Sequence, residues 1–173
     1  LLDYEVLCHE LLHIFGVPDL YHYSFAPPQP VGGWDIMENG EGHTCAYIKW
    51  RYLQWISSIS EITATGIYSL SPLTSATNNC YSVATPRSSS EYFVVEYRQQ
   101  GGPFESMLPG SGLLVYRINR TRDGHGNASG PPDELYLYRP DGTTTVNGSW
   151  NIAYFSSPAG RTSINDGTNP SSF

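Results

Sequence analysis

Hydrophobic positions at the start of the chain repeat with the period of an α-helix. Four apolar side chains recur there at three- and four-residue spacing: Leu7, Leu11, Ile14 and Phe15. They predict a helix over residues 3–15 with one apolar face. Asp3 suits the N-cap position, and Gly16 followed by Pro18 is typical of a helix end.

An irregular segment follows, from Pro18 to about Thr44, and it is rich in proline and glycine. Loops of this length are uncommon in compact domains and are often functional. A second, short helix is predicted from Ala46 to Trp55, where aromatic and polar residues again recur at helical spacing.

After Ile59 the pattern changes to short apolar runs separated by Ser, Asn, Gly and Pro, which is typical of β-strands and turns. Six strands are predicted: Ile67–Leu73, Cys80–Thr85, Tyr92–Arg98, Leu113–Asn119, Glu134–Arg139 and Ile152–Ser156. The runs at residues 92–97 and 113–116 are apolar enough to be central strands of a β-sandwich. We therefore predict an α+β protein with a boundary near Ser58–Glu61, in which residues 59–173 form a β-rich, sandwich-like domain.

The charge of the chain narrows the range of partners. Charged residues make up only 14%, and the formal net charge is −7 with no run of Lys or Arg. Nucleic acids and anionic membrane surfaces are bound through clustered cations, so both are disfavoured as partners. No apolar run approaches the roughly 20 residues that span a bilayer, and no transmembrane segment is expected. Low charge with abundant Ser, Thr, Asn, Gly and Tyr favours an extracellular protein.

The strongest chemical signal lies within the first predicted helix, where His9-Glu10-Leu11-Leu12-His13 has the form H-E-x-x-H. Two histidines four residues apart lie on one face of a helix, so both imidazoles can bind one metal ion. Glu10 stands to the side of the metal and is placed to act as general base on a water that zinc has made acidic. The same five letters occur by chance, and the alternative interpretation is a pair of ordinary histidines on a helix that packs on a sheet.

A catalytic zinc ion usually has three protein ligands, and the residues after His13 offer a third. Gly16 allows a sharp turn, because glycine tolerates left-handed backbone conformations. The chain then returns past the metal, and Asp19 completes the string H-E-x-x-H-x-x-G-x-x-D, an extended zincin pattern. Asp19 is therefore predicted as the third ligand. If it caps a local turn instead, another group completes the site, such as His22, Glu38 or His43.

Zincins of this kind also carry a methionine in a tight turn beneath the metal. Met37 follows Gly-Gly-Trp-Asp in the irregular segment, and this position predicts the turn rather than a gap-filling place in the core. Peptide hydrolysis further needs a group that stabilises an oxyanion beside zinc. Three residues are within reach by sequence, with no basis for choosing among them: Tyr21, Tyr23 and His43.

These motifs resemble those of the immune inhibitor A-like (M6) metallopeptidases of bacteria. The zinc segment of that family ends in Gly-x-Pro-Asp before an aromatic-rich stretch, as in Gly16-Val17-Pro18-Asp19-Leu20-Tyr21, and its Trp-Asp-x-Met turn matches Trp34-Asp35-Ile36-Met37. Residues 91–98 and 108–119 are similar to the strand motifs that follow the catalytic lobe in the family. The resemblance thus runs from His9 to about Asn119, with four motifs in family order.

The resemblance implies a secreted zinc endopeptidase with a metzincin-like catalytic lobe, of which residues 1–58 are a part, and an attached β domain. It implies His9, His13 and Asp19 as zinc ligands and Glu10 as general base. It also implies protein or peptide substrates, and a location outside a bacterial cell or on its surface.

Two features depart from the family pattern. The upstream part of the catalytic lobe does not appear in the sequence, and the tail from about Thr121 matches no family motif. We expect residues 1–173 to be part of a longer protein and to be inactive on peptides by themselves. The alternative function is that of an extracellular binding or adhesion protein that retains a peptidase-like lobe without turnover.

Overall fold

The structure is a computed structural model that describes residues 3–24, 28–40 and 42–172. Its helices are α1 (Tyr4–Ile14), α2 (Ala46–Arg51) and α3 (Gly102–Glu105), with short 3₁₀ turns at Gly32–Trp34, Arg120–Arg122 and Trp150–Ile152. Its strands are β1 (Ser60–Glu61), β2 (Cys80–Ala84), β3 (Glu91–Arg98), β4 (Gly112–Asn119) and β5 (Leu135–Leu137).

Helix α1 forms where the apolar spacing predicts it. The Asp3 carboxylate caps its first turn by accepting the Glu5 N–H at 3.0 Å. The helix ends at Ile14, and Gly16 follows with φ of +83°, a left-handed conformation that reverses the chain at little cost only in glycine. The sharp turn predicted after the second histidine is therefore confirmed.

The five strands form one mixed sheet in the order β1-β2-β3-β4-β5. β1 runs parallel to β2, and the other neighbours are antiparallel. The longest pairing joins β3 and β4, from Glu91 opposite Asn119 to Arg98 opposite Gly112. These strands are the apolar runs predicted to be central, and the α+β class is confirmed. The sandwich-like arrangement remains a prediction.

Four predicted elements are wrong in type or extent. The strand predicted over Glu134–Arg139 covers only Leu135–Leu137. Residues 67–73 form no strand: Ile67 is fully exposed, and the segment has one isolated bridge to the sheet, from Pro72 to Tyr97. Residues 152–156 contain the end of a 3₁₀ turn and two isolated bridges, from Phe155 to Leu113 on β4 and from Ser156 to Arg161. Helix α2 stops at Arg51 instead of Trp55.

The early end of α2 has a local cause in the backbone. Gln54 has φ of +56°, a left-handed conformation that ends a right-handed helix. The predicted length rested on side-chain spacing alone, and spacing does not report such a backbone reversal.

A buried ionic cluster fastens the irregular segment to the sheet. Arg98 on β3 is fully buried and donates to both carboxylate oxygens of Glu105, at 2.8 and 2.6 Å, and to Glu96 at 3.3 Å. The same guanidinium donates to the carbonyls of Trp34 at 2.9 Å and His43 at 3.1 Å. The side chain of Arg98 thus anchors the segment between α1 and α2 to the sheet.

One hydrophobic cluster contains buried residues from both sides of the predicted boundary near residue 58, such as Met37 and Ile48 with Val94 and Leu114. The boundary itself stays a prediction. Within the described part of the chain, no helix is long and apolar enough to cross a membrane.

Candidate metal centre

Helix α1 brings His9 and His13 together as the four-residue spacing predicts. Their ring centroids lie 4.9 Å apart, and both Nε2 atoms point to one oxygen of Asp19. The distances to Asp19 Oδ1 are 3.1 Å from His9 and 3.3 Å from His13. One ligand atom from each of the three residues lies within 4.8 Å of the others, close enough for all three to share one ion.

Backbone carbonyls fix the orientation of both histidine rings. His9 Nδ1 lies 2.8 Å from the Ile36 carbonyl, and His13 Nδ1 lies 2.7 Å from the Val17 carbonyl. A carbonyl only accepts, so each Nδ1 donates a proton, and this tautomer of an imidazole presents the Nε2 lone pair to a metal ion. This is the arrangement in which metal-binding histidines are normally held.

Asp19 reaches the histidines because the chain reverses directly after α1. The N–H of Val17 still bonds to the helix, at 3.2 Å from the Leu12 carbonyl, while Val17 and Leu20 are buried and anchor the returning segment. Leu20 then donates its N–H to the Met37 carbonyl at 2.9 Å. Asp19 is itself largely buried, so its carboxylate has a fixed position.

The Asp19 carboxylate has a second partner on its other oxygen. Tyr23 donates its hydroxyl to Asp19 Oδ2 at 2.5 Å. This hydrogen bond is the main cause that raises the pKa of Tyr23 to about 12. One carboxylate oxygen is thus held by a phenol while the other faces the two imidazoles.

The predicted methionine turn is built around a buried carboxylate. Asp35 accepts the Met37 N–H at 2.9 Å and also binds the Thr44 hydroxyl at 2.9 Å and the Cys45 N–H at 2.8 Å. Met37 is fully buried in the core. The turn touches the site on two sides, because the Ile36 carbonyl orients His9 and the Met37 carbonyl holds the segment that carries Asp19.

Glu10 stands beside the histidines at an open cleft. It is exposed, and it lines a space of about 320 Å³ together with His9, Tyr21 and Glu38. The Tyr21 ring centroid lies 6.4 Å from that of His9. Burial and the nearby carboxylates of Asp19 and Glu10 raise the pKa of Tyr21.

None of the three alternative third ligands belongs to the group of His9, His13 and Asp19, and each has other partners. His22 is buried against Asp133, with Nε2 and Oδ1 2.6 Å apart. His43 lies 3.2 Å from the Lys49 ammonium through Nδ1. Glu38 accepts the N–H groups of Val31 and Gly32.

Sequence reasoning missed the groups that surround the ligands. The carbonyls of Ile36 and Val17 are backbone atoms, which every residue has, so no sequence signal marks them. Tyr23 was recognised as a candidate for oxyanion stabilisation, but its hydroxyl is bound to Asp19. A tyrosine four residues after a predicted carboxylate ligand is the only signal that pointed to this contact.

The donor set fits a divalent metal ion. Two neutral imidazole nitrogens and one carboxylate oxygen are ligands that zinc and its neighbours among the divalent metals accept, and three protein ligands leave a position open for water or substrate. The fit rests on the convergence of the three side chains and on the hydrogen bonds that orient them. Comparison of the chain with protein-family models, with curated proteins and with solved structures found no match.

Proposed function

We propose that this chain carries the zinc site of a secreted endopeptidase that hydrolyses peptide bonds of protein substrates. The observation that carries the proposal is the convergence of His9 Nε2, His13 Nε2 and Asp19 Oδ1 while carbonyls hold both Nδ1 atoms. A chance pair of histidines would not need this second layer of orienting contacts.

The side chains divide the chemistry among them. When bound, zinc supplies Lewis acidity, which polarises a substrate carbonyl and lowers the pKa of water to about 7. Glu10 accepts a proton from the attacking water and returns it to the leaving amine, because it lines the cleft beside His9 and no described residue ties up its carboxylate. Tyr21 is our candidate for the oxyanion-stabilising group, since it lines the same cleft whereas the Tyr23 hydroxyl is bound to Asp19.

The resemblance to the immune inhibitor A-like peptidases supports the same function. Its four motifs stand in family order, and two of them meet in space, because the turn at Met37 contacts both the first histidine and the segment of Asp19. We accordingly propose a metzincin-like catalytic lobe, a β-sandwich-like domain after it, and an extracellular or cell-surface location in a bacterium.

The first test compares zinc content and cleavage of a denatured protein substrate in the full-length protein and its Glu10→Gln variant. Zinc is expected at one per molecule in both, with cleavage lost by about 10²-fold or more in the variant, because glutamine cannot accept the proton. Glu61→Gln, which removes an exposed carboxylate on β1, is the matched control and should cleave normally.

Two other outcomes would contradict the proposal. Zinc in both proteins without cleavage in either would favour the binding or adhesion protein. Absence of zinc from both would mean that His9 and His13 are structural histidines.

A further inference from the structure

Lys49 is the single lysine of the chain, and it is buried. It lies on α2 with only 6% of its surface exposed. Lysine is among the residues least often buried, because its ammonium loses hydration that a partner must replace. The burial of the single lysine therefore indicates a role other than keeping the protein soluble.

Among the described residues no carboxylate forms an ion pair with this ammonium, although the charges of Glu96 and Glu105 offset part of the effect of its burial. Its recorded partner is His43, with Nζ and Nδ1 3.2 Å apart, and none of the ion pairs within 4.0 Å in the described part of the chain includes Lys49. The nearest buried carboxylates, Glu96 and Glu105, are both bonded to Arg98. Burial and the charge of Arg98 lower the pKa of Lys49, and burial and Lys49 lower that of His43.

Lys49 and His43 line one open cleft of about 490 Å³, which shares no lining residue with the candidate metal centre. Among the residues that the structure describes, no aspartate or glutamate lines this cleft, and Lys49 is the one lysine or arginine in its wall. The neutral hydrogen-bonding side chains in its wall include Ser57, Ser58, Ser60, Thr74, Asn78 and Asn79. Trp55, Ile56 and Leu73 add an apolar part to the same wall.

We propose that this cleft binds the carboxylate of a small organic acid or of a peptide C-terminus, with Lys49 as the cation. One ammonium balances one negative charge, and with one proton directed to His43 it keeps two for the ligand. A phosphate dianion needs a second cation, and Arg98 is already bonded to Glu96 and Glu105. The apolar wall around Trp55 favours a ligand with a hydrocarbon body.

The side-chain NMR signal of Lys49 makes a direct test possible. In full-length protein labelled with ¹⁵N and ¹³C in lysine, the side-chain signal of Lys49 is followed by NMR, after assignment by its loss in Lys49→Met. Butyrate is titrated at constant ionic strength, with butyramide as the uncharged control. A saturable shift with butyrate and none with butyramide is expected. Equal shifts with both, or a shift that does not saturate, would overturn the proposal.

Further ligands separate the possible sources of the anion. A stronger response to an acetylated dipeptide acid than to butyrate identifies a peptide C-terminus, and the reverse order identifies a free acid. Inorganic phosphate that binds more tightly than either would contradict the assignment of a carboxylate.

Variants locate the site. Lys49→Met, which keeps an apolar chain of similar length, should weaken butyrate binding at least tenfold in ligand-observed NMR. Arg51→Met removes a cation from the same helix, one that is exposed and paired with Asp123, and should bind butyrate normally. Equal loss in both variants would mean a general charge effect. If Lys49→Met does not fold, Lys49→Arg, which keeps the charge, assigns the lysine signal instead, and the butyrate titration of the wild-type protein tests the proposal.

Discussion

The hydroxyl of Tyr23 contacts the candidate metal centre through Asp19. It holds Asp19 Oδ2 at 2.5 Å and leaves Oδ1 facing the histidines. Residues that orient a metal ligand typically contribute 10- to 100-fold to metal affinity. Because Tyr23 is 58% exposed, water can replace part of its effect, and the lower end of that range applies.

Tyr23→Phe should therefore weaken zinc binding by about tenfold, measured by competition with a chelator of known affinity. Tyr68→Phe is the control, because the exposed Tyr68 hydroxyl bonds only to the local Ala64 carbonyl. An unchanged zinc affinity in Tyr23→Phe would show that Asp19 needs no orienting partner, or that it is not a ligand.

Glu38 is a carboxyl at the same cleft whose burial makes stability depend on pH. Its Oε2 accepts two backbone N–H groups, and Oε1 has no partner among the described residues. Burial raises the pKa of Glu38 from 4.5 to about 8. Between these two values the folded chain keeps a proton that the unfolded chain has released.

The free energy of unfolding should therefore fall as pH rises from 5 to 7, by up to about 1.4 kcal/mol per unit from this group. Glu38→Gln keeps an oxygen to accept both N–H groups and has no proton to lose, so the decline should be smaller by that amount. Urea unfolding of both proteins across this range measures the difference. Parallel pH profiles would mean that Glu38 ionises normally in the folded chain.

Among the helices and strands, the sequence predicts best those whose conformation is determined by residues within the same segment. Helix α1 and its turn were predictable because a capping aspartate, an apolar stripe and one glycine fix them within the segment. Strands β3 and β4 were predictable from their apolar runs. The run at residues 67–73 has one isolated bridge, from Pro72 to Tyr97, and no continuous pairing with a strand, and such pairing is a property of the whole fold.

In the candidate site, too, contacts between residues close in sequence could be predicted and contacts between distant residues could not. The spacing of His9, His13 and Asp19 predicted their meeting, because a helix and a glycine turn connect them within eleven residues. The Ile36 carbonyl that orients His9 lies 27 residues away from it in the sequence. Asp133, which binds His22, lies 111 residues away from that histidine. No local pattern encodes such contacts.

At the scale of the whole molecule, Arg98 joins the sheet to the segment that supports the metal centre. It is fully buried, and Glu96, Glu105 and two carbonyls of the segment accept its hydrogen bonds. A buried ion pair adds little over an apolar replacement of all its members, but removal of one member leaves uncompensated charge. We therefore expect a change at Arg98 to affect the candidate metal centre, although Arg98 lies far from its residues in sequence.

Arg98→Met should lower the free energy of unfolding by about 3–5 kcal/mol, because it strands two buried carboxylates. It should also weaken zinc binding, since the turn that orients His9 and holds the segment of Asp19 loses its anchor on the sheet. Arg51→Met breaks an exposed pair with Asp123 and should cost at most about 1 kcal/mol, with zinc affinity unchanged. Denaturant unfolding and chelator competition on the folded variants separate the two effects. If Arg98→Met lost stability but bound zinc as tightly as wild type, the centre would be supported by α1 and its turn alone.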